Sequence, residues 1–221
     1  GSMEDMIKKA KELNYEYIGV SDHNPRISNH IKSEIYSILS KRKSIIDHIK
    51  SSTKDIRVIN MLEMDILASG DLAVDDKGLE YIDAIIVSIH SSFSMNSSDM
   101  TKRVLSGFSH PKAKILAHPT GRLLNSRAGY ELDWDKIFDF CVKNNKALEI
   151  NAWPERLDLP DTLVKQAKDV GVKFVIDTDS HAVSHMDNMF YGVAVARRGW
   201  AEKKDILNTL PADKFIDWIS S

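Results

Sequence analysis

The feature that most constrains this chain is a repeated alternation of short apolar runs with amphipathic helical stretches. Runs at residues 17–20, 58–61, 84–89, 114–117, 147–150 and 173–176 have the length and composition of buried strands. Between them lie helical stripes. Met6, Ile7, Ala10 and Leu13 share one face, as do Ile31, Ile35, Leu39, Ile45, Ile46 and Ile49. Trp134, Ile137, Phe138 and Cys141 form another stripe, and Leu163, Val164, Ala167 and Val170 a further one closed by Gly171. Strands alternating with helices predict a parallel sheet covered on both faces. Six such units favour a barrel-like α/β fold, with an open doubly wound sheet as the main alternative. No glycine-rich strand-to-helix turn supports a dinucleotide or P-loop reading. The 221 residues suit one large domain or two small ones, and no linker-like shift in composition divides them.

The ends of these runs carry the chemistry. Five of the six lead into a metal-capable side chain: His23, Glu63, His90, His118, and the pair Asp179 and His181. In a parallel barrel the C-terminal strand ends open on one face, where active sites sit. Residues far apart in sequence would therefore converge. Imidazoles with carboxylates suit zinc, manganese or iron better than calcium or magnesium alone. Divalent ions held there would polarise a phosphoester and acidify a water, the usual metal-assisted route to hydrolysis. Asp22 and Asp177 are either ligands or carboxylates that orient a neighbour. Asn151 either binds phosphate or ends a strand. Arg122 is either a phosphate clamp or a surface ion-pair partner. The basic residues Arg197, Arg198, Lys203 and Lys204 around Trp200 read first as a solvated face. His30, His48, His110 and His185 lie in helical or loop contexts and read as solvated or locally bonded.

Composition narrows the classes. Thirty basic and thirty-two acidic side chains nearly cancel, which argues against nucleic-acid binding by bulk charge. The single cysteine, Cys141, rules out an intrachain disulfide, suits a cytoplasmic location, and falls on an apolar stripe where packing outweighs nucleophilic chemistry. No stretch is long and apolar enough to span a membrane. Residues 1–2 read as an expression-tag remnant, leaving 3–221 as the domain.

The ordered set Ser21-Asp22-His23, Glu63, Ser88-Ile89-His90-Ser91, His118-Pro119 and Asp179-Ser180-His181 resembles the successive motifs of the polymerase-and-histidinol-phosphatase (PHP) superfamily. Longer strings are similar to the C-terminal PHP domain of bacterial and archaeal family X DNA polymerases. These are His118-Pro119-Thr120-Gly121-Arg122-Leu123-Leu124, the stretch 148–159, and the stretches 191–194 and 196–200. The resemblance implies a distorted, TIM-like, seven-stranded β/α barrel holding up to three divalent ions (manganese or zinc, with iron or magnesium as further options). It implies phosphoester hydrolysis. Within such polymerases it implies 3′-to-5′ exonuclease and end-processing activity on DNA.

Carried over by position, Glu63 would bridge two ions, with His90 and His118 completing the second ion's ligands. Asp179 would serve the first ion, and His23 and His181 the third. Glu63, Asp179 and His23 are thus the candidate catalytic residues, and Arg122 and Asn151 the candidate substrate-binding ones. The family opens on a strand ending in His-x-His, followed by an Asp, and nothing before Met6 matches these. The expectation is a barrel lacking its first strand, with one ligand set intact, two incomplete and activity impaired. The expected partners are DNA 3′ ends and a polymerase domain of the same parent chain. A small-molecule phosphatase and a non-catalytic DNA-positioning module are the alternative readings.

Overall fold

Each run expected as a strand is one, and each pairs in parallel with its predecessor. In the computed structural model, which describes residues 2–221, the strands are β1 (Tyr17–His23), β2 (Arg57–Asp65), β3 (Ala84–Ser88), β4 (Ala113–Leu116), β5 (Ala147–Asn151) and β6 (Lys173–Asp177). They form one six-stranded sheet in chain order. A doubly wound sheet reverses its order part-way. The unbroken order excludes that alternative and curls the sheet into a half-barrel.

The helices are α1 (Met3–Glu12), α2 (Lys32–Ser52), the short α3 (Asp76–Leu79), α4 (Ser97–Phe108), α5 (Trp134–Lys143), α6 (Asp161–Asp169), α7 (Met189–Arg198) and α8 (Ala212–Ser220). Ser2, set aside above as a tag remnant, N-caps α1 with a reciprocal capping box to Asp5. Several elements go beyond the sequence expectation, the short α3 and the terminal α8 among them. The second strand runs past Met61 to Asp65, so Glu63 lies inside a strand. Helix α4 occupies a segment assigned no element, because only Met100, Val104 and Phe108 mark its apolar face, while Thr101 and Arg103 are buried polar residues.

Period-two alternation then decides what each strand shows the concave face. Ile59, Met61, Ile86, Ile115, Ala147 and Val175 point inward near the strand starts, where Phe215, Trp218 and Ile219 of α8 plug the barrel. Continuing the same inward register upward gives Glu63, Ser88, Glu149, Asn151 and Asp177. The other register packs on the helices: Leu62, Met64, Ile85, Val87, Leu148 and Ile150 join the main core with Leu39, Val104 and Ile137. One alternation thus makes an apolar floor and a polar rim. Gly19 of β1 faces Met61, whose Sδ would lie 2.8 Å from an added Cβ.

The sheet's two edges are treated differently. The Asn208 side chain accepts from the Ile176 amide at 3.1 Å and donates to its carbonyl at 2.6 Å, covering the β6 edge. The β1 edge is largely exposed. Between β1 and β6 a cavity of about 980 Å³ runs from the polar rim down to Tyr17 and Phe215.

Candidate metal centre

Glu63 is the hub of the rim. Its Oε1 lies 3.0 Å from His118 Nε2 and 3.3 Å from His90 Nε2, and its Oε2 lies 3.3 Å from His23 Nδ1. One carboxylate therefore presents each oxygen to a different side. His23, Glu63 and His90 offer ligand atoms that all fall within 4.8 Å of one another. Nitrogen and oxygen ligands about 2.0–2.2 Å from a zinc-sized ion sit roughly 3–3.5 Å apart. The donor spacing around Glu63 fits such an ion.

Neighbouring polar groups hold these side chains in place. Asp65 Oδ1 bonds His90 Nδ1 at 2.6 Å, the carboxylate–imidazole pairing that orients metal-binding histidines. Sequence reasoning missed Asp65. The signal was its position two residues after Glu63, but it required the strand to continue that far. Glu149 was also missed as an individual site residue. It accepts from the His118 backbone N–H and from Asn151 Nδ2 at 3.2 Å. His118 and Asp179 both adopt left-handed backbone, with φ of 29° and 47°. Strained conformations of this kind concentrate at functional sites.

The remaining candidates fall into place around this hub. Asp179 Oδ2 is held by Asn151 Nδ2 at 3.2 Å and faces Arg156 Nε at 3.4 Å. His181 bonds the Asp179 carbonyl at 2.8 Å, and its ring centroid is 6.4 Å from that of His23. It stands beside the His23–Glu63–His90 cluster rather than within it. Arg122 directs Nε to the Arg156 carbonyl at 2.9 Å and Nη2 to the Leu157 carbonyl. Asp22 is held by Arg42 at 2.7 Å. Asp177, half-buried at the end of β6, lies beneath Asp179 and beside Glu149.

Electrostatics sharpen the picture. Burial alone would lift the Glu63 carboxyl, but hydrogen bonds to His118 and His90 outweigh it and hold the group well below the usual range. Burial would lower His90, but its bonds to Asp65 and Glu63 raise it to about 9. Burial raises Glu149 well above the normal carboxyl range, and the neighbouring Asp177 charge adds to this. Burial likewise pushes Asp177 up to about 7, against its bond to Glu149. Burial thus favours the protonated form of Glu149, whose carboxyl sits beside that of Asp177.

The PHP domain family matches residues 1–152. This chain belongs to the PHP domain family. It is 38% identical over 209 residues to "DNA polymerase/3'-5' exonuclease PolX" of Bacillus subtilis, covering 94% of this chain and 36% of that protein. It is 27% identical over 184 residues to a protein of Clostridium acetobutylicum named a probable phosphatase, covering 79% and 70% of the two chains. A second such phosphatase, of Caldicellulosiruptor saccharolyticus, is 23% identical over 188 residues, covering 81% and 73%. The chain thus spans 36% of the length of its polymerase relative. PHP proteins are metal-dependent hydrolases, and the donor set around Glu63 is of that kind. Among the described residues, no helix of this PHP domain is long and apolar enough to cross a membrane.

The raised His90 gives a prediction for the metal-free PHP domain. At neutral pH His90 is an imidazolium, and an ion bound at its Nε2 must displace that proton. Apparent zinc or manganese affinity should rise about ten-fold per pH unit below about 9, then level off. Calorimetric titration in buffers of differing ionisation enthalpy checks this by counting the proton released. The same shift stabilises the metal-free fold. That contribution is complete below the unfolded value near 6.5 and is lost as pH rises through about 9.

Proposed function

We propose that this chain is the divalent-metal-dependent phosphoesterase module of a family X DNA polymerase, hydrolysing phosphodiesters at DNA 3′ ends. The observation that carries this reading is the 38% identity to the Bacillus subtilis polymerase/exonuclease, which extends over 94% of the chain. The split Glu63 carboxylate, flanked by three imidazoles, supplies matching chemistry.

When bound, divalent ions would neutralise phosphate charge and acidify a water. His23, Glu63, His90 and His118 are the side chains placed to hold them, with Asp179 and His181 on the β6 side. We assign catalysis to Glu63, Asp179 and His23. Asp65 fixes the His90 ring, and Asn151 fixes the Asp179 carboxylate. Arg122 serves substrate binding indirectly, by holding the loop that carries Arg156 against Asp179. Arg122→Ala should therefore lower stability by about 2–4 kcal/mol, since two hydrogen bonds from a charged donor are lost. Urea unfolding checks this, and an unchanged midpoint with a raised KM would make Arg122 a direct substrate ligand.

The test of function is release of nucleoside monophosphate from the 3′ end of an oligonucleotide in manganese, by this chain alone and within its full-length polymerase. We expect release by the full-length protein and weaker release by the chain alone. Untouched 3′ ends with rapid cleavage of p-nitrophenyl phosphate would favour a small-molecule phosphatase. That second reading has its own support, since this chain covers 70% of the Clostridium acetobutylicum phosphatase.

A further inference from the structure

We infer that the outer face of α7 is a stacking platform for single-stranded nucleic acid. This rests on the reading of the substrate as a DNA end, and adds how the strand behind that end is held. Among the described residues, all the strongly exposed aromatic side chains lie between residues 190 and 200: Phe190 and Trp200, each 71% exposed, and Tyr191, 43% exposed. Elsewhere the exposed large apolar side chains are aliphatic, such as Ile38 and Ile45 on α2. An aliphatic stripe packs against protein, whereas exposed rings offer π faces on which bases stack.

Phe190 and Tyr191 already form an edge-to-face pair, with centroids 5.5 Å apart. Val193 and Arg197 follow Phe190 by three and seven positions, on the same helix face. The charge around the platform is available to phosphate. Asp187 is paired with Lys9, Asp161 with Arg198, and Glu202 with Lys204, while Arg197 and Lys203 make no ion pair among the described residues.

The platform is continuous with the metal centre. Met189 and Val193 of α7 line the same cavity as His23, Asp179 and His181. A strand whose 3′ end enters the cavity would leave it over α7. A duplex hides its base faces in the stack, so the surface suits a single strand.

The test is fluorescence anisotropy of a 5′-fluorescein-labelled twelve-residue oligothymidylate with this chain in EDTA, where no hydrolysis occurs. Phe190→Ala/Tyr191→Ala should weaken binding about ten-fold or more. Arg197→Ala should weaken it several-fold and flatten the salt dependence by about one unit or slightly less. Ile45→Ala, on the aliphatic stripe, should leave affinity unchanged. All four positions are exposed, and a thermal melt confirms that each variant is folded. Undetectable binding by the parent chain, equal binding of a duplex of the same length, or unchanged affinity in the double variant would each overturn the inference. Oligonucleotide binding without 3′-end hydrolysis would count against the proposed function alone. Hydrolysis with binding indifferent to α7 would count against this inference alone.

Discussion

Replacing Glu63 with alanine should abolish tight metal binding, the largest single effect expected in this protein. Both oxygens are engaged, one toward His90 and His118 and the other toward His23. The substitution removes a ligand from both sides at once, and with it the negative charge that helps keep the neighbouring imidazoles together. Elemental analysis after dialysis should show less than a tenth of the parent's metal content. In full-length protein, phosphoesterase activity should fall at least about 1,000-fold, equivalent to roughly 4 kcal/mol of transition-state stabilisation. Glu63→Gln separates charge from shape. It keeps the side chain's length and acceptor oxygen, yet should also lose metal. Retention of normal metal content by either variant would sink the assignment of Glu63 as the hub.

The second large effect concerns Glu149, which braces His118 from outside the His23–Glu63–His90 cluster. Its carboxyl is buried, accepts from the His118 amide and Asn151, and is pushed toward its protonated form by burial and by the neighbouring Asp177. Glu149→Leu leaves the buried His118 N–H without its partner and removes one neighbour of the Asp177 carboxyl. Leaving a buried donor unsatisfied in this way, together with the lost contact to Asp177, costs about 2–4 kcal/mol. Metal affinity should also fall, by about 10–100-fold, because His118 loses its anchor. Glu149→Gln should be nearly neutral. Its carbonyl accepts the same two hydrogen bonds, and its amide sits beside Asp177 as the protonated carboxyl does. Denaturant unfolding of the two variants separates these cases. Equal destabilisation by Gln and Leu would show that the proton on Glu149 is not what the site needs.

The contrast between Glu63 and Glu149 shows how far the sequence reaches. Glu63 was legible because it ends an apolar run, as His23, His90 and His118 do, and in a parallel sheet such ends share a face. Glu149 sits inside the run 147–150 and looks like a break in it. Its role appears only when β5 lies beside β4 and β6, so that inward-facing side chains from three strands meet. Asp65 was hidden for a related reason: an apolar pattern marks where a strand is buried, not where its polar end stops.

Arg122 and Arg156 make the same point for charge. Both are arginines in polar loops, and composition does not separate them. Packing gives Arg122 two backbone carbonyls as partners and sets Arg156 beside Asp179. The sequence alone determined the strand–helix order, the parallel sheet, the shared rim of metal-capable residues and the family, because these follow from periodicity and from motifs in order along the chain. Only the tertiary structure decided which carboxylate oxygen faces which imidazole, that Asp65 orients His90 and that the buried Glu149 braces His118. Those contacts join residues 25 to 55 positions apart, and hydrogen bonds are set by ångström-scale geometry that no local pattern encodes.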